Sequence, residues 1–307
     1  MASEEGLQRG DKRMEDKEDM RQYIEKCDAD FKKRLYCIAD SIAAKGVKIV
    51  SLSGPTCSGK TTAATMLAKR LGADGRCVHI VSIDDFYYDR DHLDRMSKQK
   101  GSNTIDYDSV DTIDLEALRA FVSEAISGEE VHCPVFDFKL GMRSGYRCID
   151  ADTDDIFVFE GIQAIYPQIT SLFIPYGFES IYIAPMTVLS DGDVRFEPNE
   201  LRLLRRLVRD SNFRNTDAEF TLHMWDSVRQ NEEKNIFPFV GDCAYKIDST
   251  QPYELGILKP YLERILSCVE AYSPQYPKAR QILDKIAHIQ DVDASAVGEE
   301  SLYKEFV

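Results

Sequence analysis

The segment Gly54-Pro55-Thr56-Cys57-Ser58-Gly59-Lys60-Thr61-Thr62 carries two glycines, a lysine and a hydroxyl in the spacing G-x-x-x-x-G-K-[ST]. Glycines so placed let the backbone curl until its N–H groups face phosphate oxygens at the start of a helix. Lys60 would then reach the β- and γ-phosphates of a nucleoside triphosphate, and the Thr61 hydroxyl would ligate Mg²⁺. Gly54, Cys57, Ser58, Gly59, Lys60, Thr61 and Thr62 form this candidate cradle. By residue frequency the pattern arises by chance in roughly one chain in a hundred of this length, so its context matters. An apolar run from Val47 to Leu52 precedes it. Ala64, Met66, Leu67 and Leu71 follow at helical spacing up to Gly72.

A cradle for ATP does not by itself say what happens to the terminal phosphate. Neither a guanine-reading N-K-x-D nor an L-S-G-G-Q stretch occurs. Transfer to an alcohol needs a base beside the acceptor, and Asp84 stands where the apolar run Val78 to Ile83 gives way to Asp84-Asp85-Phe86-Tyr87. Capping of the next turn by Asp84 or Asp85 is the plainer reading of that pair. Glu160 ends Ile156-Phe157-Val158-Phe159, and a carboxylate there could orient Mg²⁺ or its waters, with Thr61 and Asp84 completing an oxygen donor set. Arg202, Arg205, Arg206 and Arg209 recur at helical spacing, followed by Arg214, and are the candidates for a phosphate clamp. A solvated basic face is the commoner fate of such a run.

The elements that must position these residues follow from hydrophobic pattern. Strands are expected at Val47 to Leu52, Val78 to Ile83, Ile156 to Phe159, Ile181 to Ala184 and Tyr245 to Ile247. Helices alternate with them, including one over Leu115, Leu118, Val122 and Ile126 closed by Gly128. Two more, Asn199 to Asp210 and Asp217 to about Asn231, flank a polar turn suited to a moving flap. The expected fold class is α/β, a three-layer sandwich of the P-loop NTPase type with a parallel sheet and a helical lid, its ligands beyond the carboxyl ends of the strands. Residues 1–45 read as a charged arm, to about residue 18, and a helix striped by Met20, Tyr23, Ile24, Cys27, Phe31, Leu35, Ile38 and Ile42. Residues 46–270 read as the nucleotide-binding domain with its lid around 199–216. Residues 271–307 read as a C-terminal helix and tail, the last residues disordered.

Net charge is -15, which disfavours nonspecific nucleic-acid binding because that binding depends on cations displacing counterions. No apolar run is long enough to span a bilayer and the first residues lack the core of a signal peptide, so neither membrane nor nucleic acid is an expected partner and the cytoplasm is the expected location. The 8 cysteines form no C-x-x-C pair and the 5 histidines lie far apart, so reduced thiols and no structural metal are expected. The oligomeric state is not encoded in any motif, and a homo-oligomer stays among the expected partners.

Taken together and in order, Gly54 to Thr62, Asp84-Asp85-Phe86-Tyr87, Pro134-Val135-Phe136-Asp137-Phe138, Phe159-Glu160-Gly161-Ile162 and Arg205-Arg206-Leu207-Val208-Arg209-Asp210 resemble the uridine kinase and phosphoribulokinase family. The resemblance spans roughly residues 47 to 250. The stretches Trp225-Asp226-Ser227-Val228-Arg229 and Glu232 to Phe239 look more like a bacterial nucleoside kinase branch than like the animal uridine-cytidine kinases. It implies that Asp84 is the catalytic base, Glu160 a magnesium residue, and Arg206, Arg209 and Arg214 lid arginines that meet phosphates and substrate. It further implies Asp106 on the ribose hydroxyls, with Tyr87, Phe136 and Arg143 around the acceptor. Phe136 stands where pyrimidine-nucleoside kinases tend to have tyrosine, Gly141 where they have a base-reading histidine, and Thr216 where a second lid arginine is usual. The implied activity is transfer of the γ-phosphoryl of ATP, with Mg²⁺, to a hydroxyl of a small acceptor resembling uridine or cytidine. The alternatives are a pantothenate-, sugar-phosphate- or polyol-like alcohol, for which Arg143 and Lys139 would suit an anion, or an ATP-binding sensor without turnover.

Overall fold

A computed structural model describes residues 17–101, 105–107 and 109–307. The charged arm up to residue 16, and Asp108 in the acidic stretch, lie outside the described residues. Helix α1 (Lys17–Lys45) leads into strand β1 (Ile49–Ser53), helix α2 (Lys60–Leu71) and strand β2 (Val78–Ser82). Then come α3 (Arg90–Gln99), α4 (Leu115–Ile126), the strands β3 (Glu130–Asp137) and β4 (Met142–Asp150), and β5 (Ile156–Glu160). The chain continues through α5 (Pro167–Phe173), β6 (Phe178–Ala184), the short β7 (Leu189–Asp191) and β8 (Val194–Phe196), and α6 (Pro198–Phe213). It closes with α7 (Ala218–Asn235), β9 (Tyr245–Asp248), α8 (Glu254–Leu266) and α9 (Tyr276–Ile286).

Five strands pair in parallel in the order β2-β5-β1-β6-β9. Apolar residues at both parities along β1 and β5 are what a sheet covered on both faces demands, and only Glu160 of those ten positions escapes full burial. Val50, Leu52, Ile156, Val158, Ile181 and Ile183 point to one side, into a cluster with residues of α1, α2, α6 and α8. Ile49, Phe157, Phe159, Tyr182 and Ala184 point to the other, against α4 and α5. The result is the expected three-layer α/β arrangement. Burying each large apolar side chain such as Phe157 or Phe159 contributes about 1.5–3 kcal/mol.

The N-terminal stripe packs as its spacing implies: Ile24, Phe31, Leu35 and Ile42 are at most 1% exposed. Gly46, at φ 67, lets the chain leave that helix in the left-handed conformation. Two features were not read from pattern. Residues 130–150 form an antiparallel hairpin, β3 with β4, that shares no ladder with the main sheet. The last residues, expected to be disordered, are instead docked: Leu302, Tyr303 and Phe306 are at most 1% exposed, and a short 3-10 turn at Leu302–Glu305 is capped by Ser301. Their apolar side chains find a hollow between α2, α6 and α8 that local composition does not reveal. Among the described residues no helix is long and apolar enough to cross a membrane.

Candidate active site

The register of the sheet sets the geometry. Glu160, last residue of β5, lies opposite Leu52 of β1 on one side and Ser82 of β2 on the other. The glycine-rich loop leaves β1 two residues after Leu52 and Asp84 lies two residues after Ser82, so the loop, Glu160 and Asp84 share one edge. At that edge Gly54 has no substitute. A Cβ there would lie 2.1 Å from the carbonyl oxygen of Ile183 in β6. Cys57 is fully inside the loop with φ 57, a conformation that costs a non-glycine residue about 1–2 kcal/mol. Lys60 at the start of α2 donates to the Pro55 carbonyl at 3.0 Å, which keeps its ammonium folded over the loop. The Ser58 hydroxyl is buried with no hydrogen-bond partner, a polar group the loop leaves available inside.

Asp84 and Asp85 open a 3-10 turn, Ile83–Phe86, and have different tasks. Asp85 accepts from the Phe136 backbone N–H at 3.1 Å, tying the hairpin to this edge. Burial pushes its carboxyl up, offset in part by that N–H. Asp84 stands one residue earlier in the same turn, two residues past the end of β2 at the edge that carries the glycine-rich loop.

The arginine run divides in two. Arg202 and Arg205 are buried and were grouped with the phosphate clamp, but each is held by a carboxylate: Arg202 donates to Glu232 at 2.6 Å and Arg205 to Glu254 at 2.7 and 3.0 Å. They also donate to the back of the phosphate loop, Arg202 to the Thr56 carbonyl at 3.4 Å and Arg205 to that of Cys57 at 3.3 Å. They brace the loop. Arg206, Arg209 and Arg214 instead converge on a single carboxylate, Asp210, at 3.2, 2.7 and 3.7 Å. Three guanidinium groups on one carboxylate leave positive charge unbalanced, which is the electrostatic condition for an anion site. Asp210 stood in the recognised motif without a role. Its sharing by side chains one turn apart could be suspected from i, i+4 spacing.

On the acceptor side, the Tyr87 hydroxyl donates to the Tyr107 carbonyl at 2.9 Å and accepts from Gln163 at 2.8 Å. Gln163 is fully buried, its Oε1 has no partner, and no motif had singled it out. Tyr87, Phe136 and Phe138 pack edge to face with centroids 5.2–6.2 Å apart. Asp106 accepts from Asn231 of α7 at 3.0 Å. Arg143 donates to Asp114 and to the Phe86 carbonyl at 3.1 and 3.2 Å, so its charge is already partnered. Beside it a cavity of ≈ 680 Å³ is lined by Arg90, His92, Arg95, Gly141, Arg143 and Tyr146, among others. The Arg90 guanidinium fills the space of any side chain at 141, since a Cβ there would meet it at 2.7–3.0 Å. That arginine was missed because it lies outside every motif.

The oxygen donors at the sheet edge, Thr61, Asp84 and Glu160, suit a hard cation such as Mg²⁺ that keeps several waters. Among the described residues, the one trio of His, Cys and carboxylate groups with ligand atoms all within 4.8 Å is elsewhere, Glu130, His132 and Cys148 on the hairpin. All three are exposed, and the Cys148 thiol is raised by local desolvation and by Glu130, which opposes metal binding.

A family model described as the Phosphoribulokinase / Uridine kinase family matches residues 49–251. A uridine kinase from Ureaplasma urealyticum is 28% identical over 185 residues, 60% of this chain and 79% of that protein. A uridine kinase from Lactobacillus helveticus is 25% identical over 177 residues, 58% and 74% of the two chains. Among solved structures, a D-glycerate 3-kinase from Cryptococcus neoformans aligns with a TM-score of 0.39 and 13% identity, covering 87% of this chain and 90% of that one.

Proposed function

This chain belongs to the phosphoribulokinase / uridine kinase family, and from that premise we propose that it transfers the γ-phosphoryl of ATP to a primary hydroxyl of a nucleoside resembling uridine or cytidine. The single observation that carries the reading is the placement of Glu160 between Leu52 and Ser82, which brings the phosphate loop and Asp84 to one edge. Asp84 takes the proton of the acceptor hydroxyl as its oxygen bonds to the γ-phosphorus, and the bond to the β–γ bridging oxygen breaks to release ADP. Lys60 holds the β- and γ-phosphates, and the loop N–H groups orient them. Thr61 and Glu160, with Asp84 nearby, would hold Mg²⁺, which would supply neutralisation of charge on the transferring group. Arg206, Arg209 and Arg214 meet that charge from α6 and the turn after it; because α6 is packed in the core, the lid expected around residues 199–216 reduces to the turn that follows Phe213. Asp106 accepts hydrogen bonds from the ribose diol, and Tyr87 and Phe136 form the wall against the base.

A second reading has its own support. With Arg90 in the space beside Gly141, the cavity offers a cation where a nucleoside base would need a neutral hydrogen-bonding group. An acceptor bearing a carboxylate or phosphate next to its alcohol suits that better. ADP release measured with ATP, Mg²⁺ and a panel of nucleosides, sugar phosphates, hydroxy acids and polyols separates the two. Turnover with uridine or cytidine upholds the first reading. Turnover with an anionic alcohol alone replaces it with the second, and none with any alcohol, despite ATP binding, leaves a sensor.

A further inference from the structure

The C-terminal residues do more than pack. Lys32 and Lys69 both bond Glu300, the Ser301 hydroxyl contacts that of Tyr253, and Asn212 donates to the Phe306 carbonyl at 3.1 Å. So anchored, the segment meets the phosphate loop once directly and once through Arg205. Leu302 fills the space beside Gly59, where a Cβ would lie 2.4 Å from it. Tyr303 and Phe306 flank the Arg205 guanidinium with ring centroids at 5.2 and 5.5 Å, and Arg205 in turn holds the Cys57 carbonyl. Between those anchors the turn carries Glu305 inward. Its Oε2 is buried without a hydrogen-bond partner. Burial pushes its carboxyl up; the charges of Lys60, Arg209 and Arg205 favour its ionised form, and that of Glu160 opposes it.

A buried carboxylate oxygen with nothing to accept from is costly. It is expected where a partner arrives with a ligand. The neighbours here decide which partner. Lys60 and Arg209 are the groups that would take the phosphates, and a bare carboxylate among them would repel a triphosphate. Glu160 is the residue expected to hold the cation. A divalent ion and its waters satisfy both carboxylates and remove the repulsion at once. We propose that Glu305 is a further carboxylate of the magnesium site, acting beside Thr61 and Glu160 on the ion or on its waters. The assignment rests on the kinase reading.

The test is calorimetric titration of ATP, without acceptor, into the full chain and into Glu305→Gln, each with excess Mg²⁺ and with a chelator. The neutral isostere should bind metal-free ATP more tightly than the wild type, and the factor by which Mg²⁺ improves binding should fall roughly tenfold. Glu305→Asp should recover part of that factor. An unchanged factor in Glu305→Gln overturns the proposal and leaves the segment as packing. A uniform tightening with and without Mg²⁺ also overturns it, making Glu305 a competitor of the phosphates instead. If the wild-type chain binds no ATP under either condition, the kinase reading itself fails, an outcome distinct from both.

Discussion

Arg205 donates to the carbonyl of Cys57 across 3.3 Å, so a fully buried cation of α6 holds the inner turn of the phosphate loop. Glu254 neutralises it, and the rings of Tyr303 and Phe306, packed edge to face on each other, lie against it. Replacing Arg205 by Met leaves Glu254 charged and unpaired in the core. The expected cost is about 3–5 kcal/mol. Thermal denaturation should show a large fall in Tm, most of it restored when Glu254→Gln is added. A single variant as stable as the wild type would remove the brace from the account.

Asp84→Asn and Lys60→Ala should fail differently. The first removes a base and leaves the cradle, so kcat should fall by about 10²–10⁴-fold with ATP affinity kept within a few-fold. The second should weaken ATP binding itself. Calorimetry with ATP alongside an ADP-release assay reads both, and ordinary turnover in Asp84→Asn would move the base elsewhere.

The two halves of the arginine run should separate in the same assays. Arg206→Ala and Arg209→Ala should lower kcat by about 10²–10³-fold, the scale for removing one group that stabilises transition-state charge. Arg202→Met, which breaks the pair with Glu232, should instead lower Tm. Equal effects of all three on kcat alone would contradict the division.

Arg90→Leu tests what the acceptor carries. If the acceptor is an anionic alcohol, its KM should rise at least tenfold with kcat little changed, as for loss of uniform binding. If it is a nucleoside, KM should move less than about threefold. Initial rates over a range of acceptor concentrations decide between them.

Acid and base should act through Asp28, which links α1 to the C-terminal segment through the Tyr253 hydroxyl. Burial raises its carboxyl above the ordinary 3.8, against the lowering effect of the Tyr253 and Ser301 hydroxyls. A carboxyl raised by folding binds its proton more tightly folded than unfolded. The stability it contributes is therefore complete below 3.8 and is lost as pH rises through the folded value. Asp28→Asn cannot ionise, so its Tm relative to wild type should increase with pH across that window. A difference that is flat in pH, or that runs the other way, would refute the assignment.

Much of this was legible before any coordinates. The strand, loop and helix around Gly54 to Thr62 and the acid-ended strand at Glu160 follow from apolar runs that stop at a glycine or an acid, a local signal. The contents of α6 were legible as a helix but not as two populations of arginine, because Glu232 and Glu254 lie 30 and 49 residues away from their partners. The hairpin was hidden by its exposed faces. Exposed residues interrupt the buried ones along β3 and most of β4 is not buried, so no apolar run marks it. The docking of Leu302 and Phe306 depends on a hollow built by helices far away in sequence, which composition near the terminus cannot report.

The way the hairpin joins the five-strand sheet has a corollary for design. The ribbon shares no ladder with the main sheet, yet Val131, Cys133, Phe136 and Ile149 are buried in one core with it, so only the exposed tip between those anchors is free to change without unsettling the fold. On the proposed function, a designer seeking a new acceptor would begin with that tip, residues 138–146.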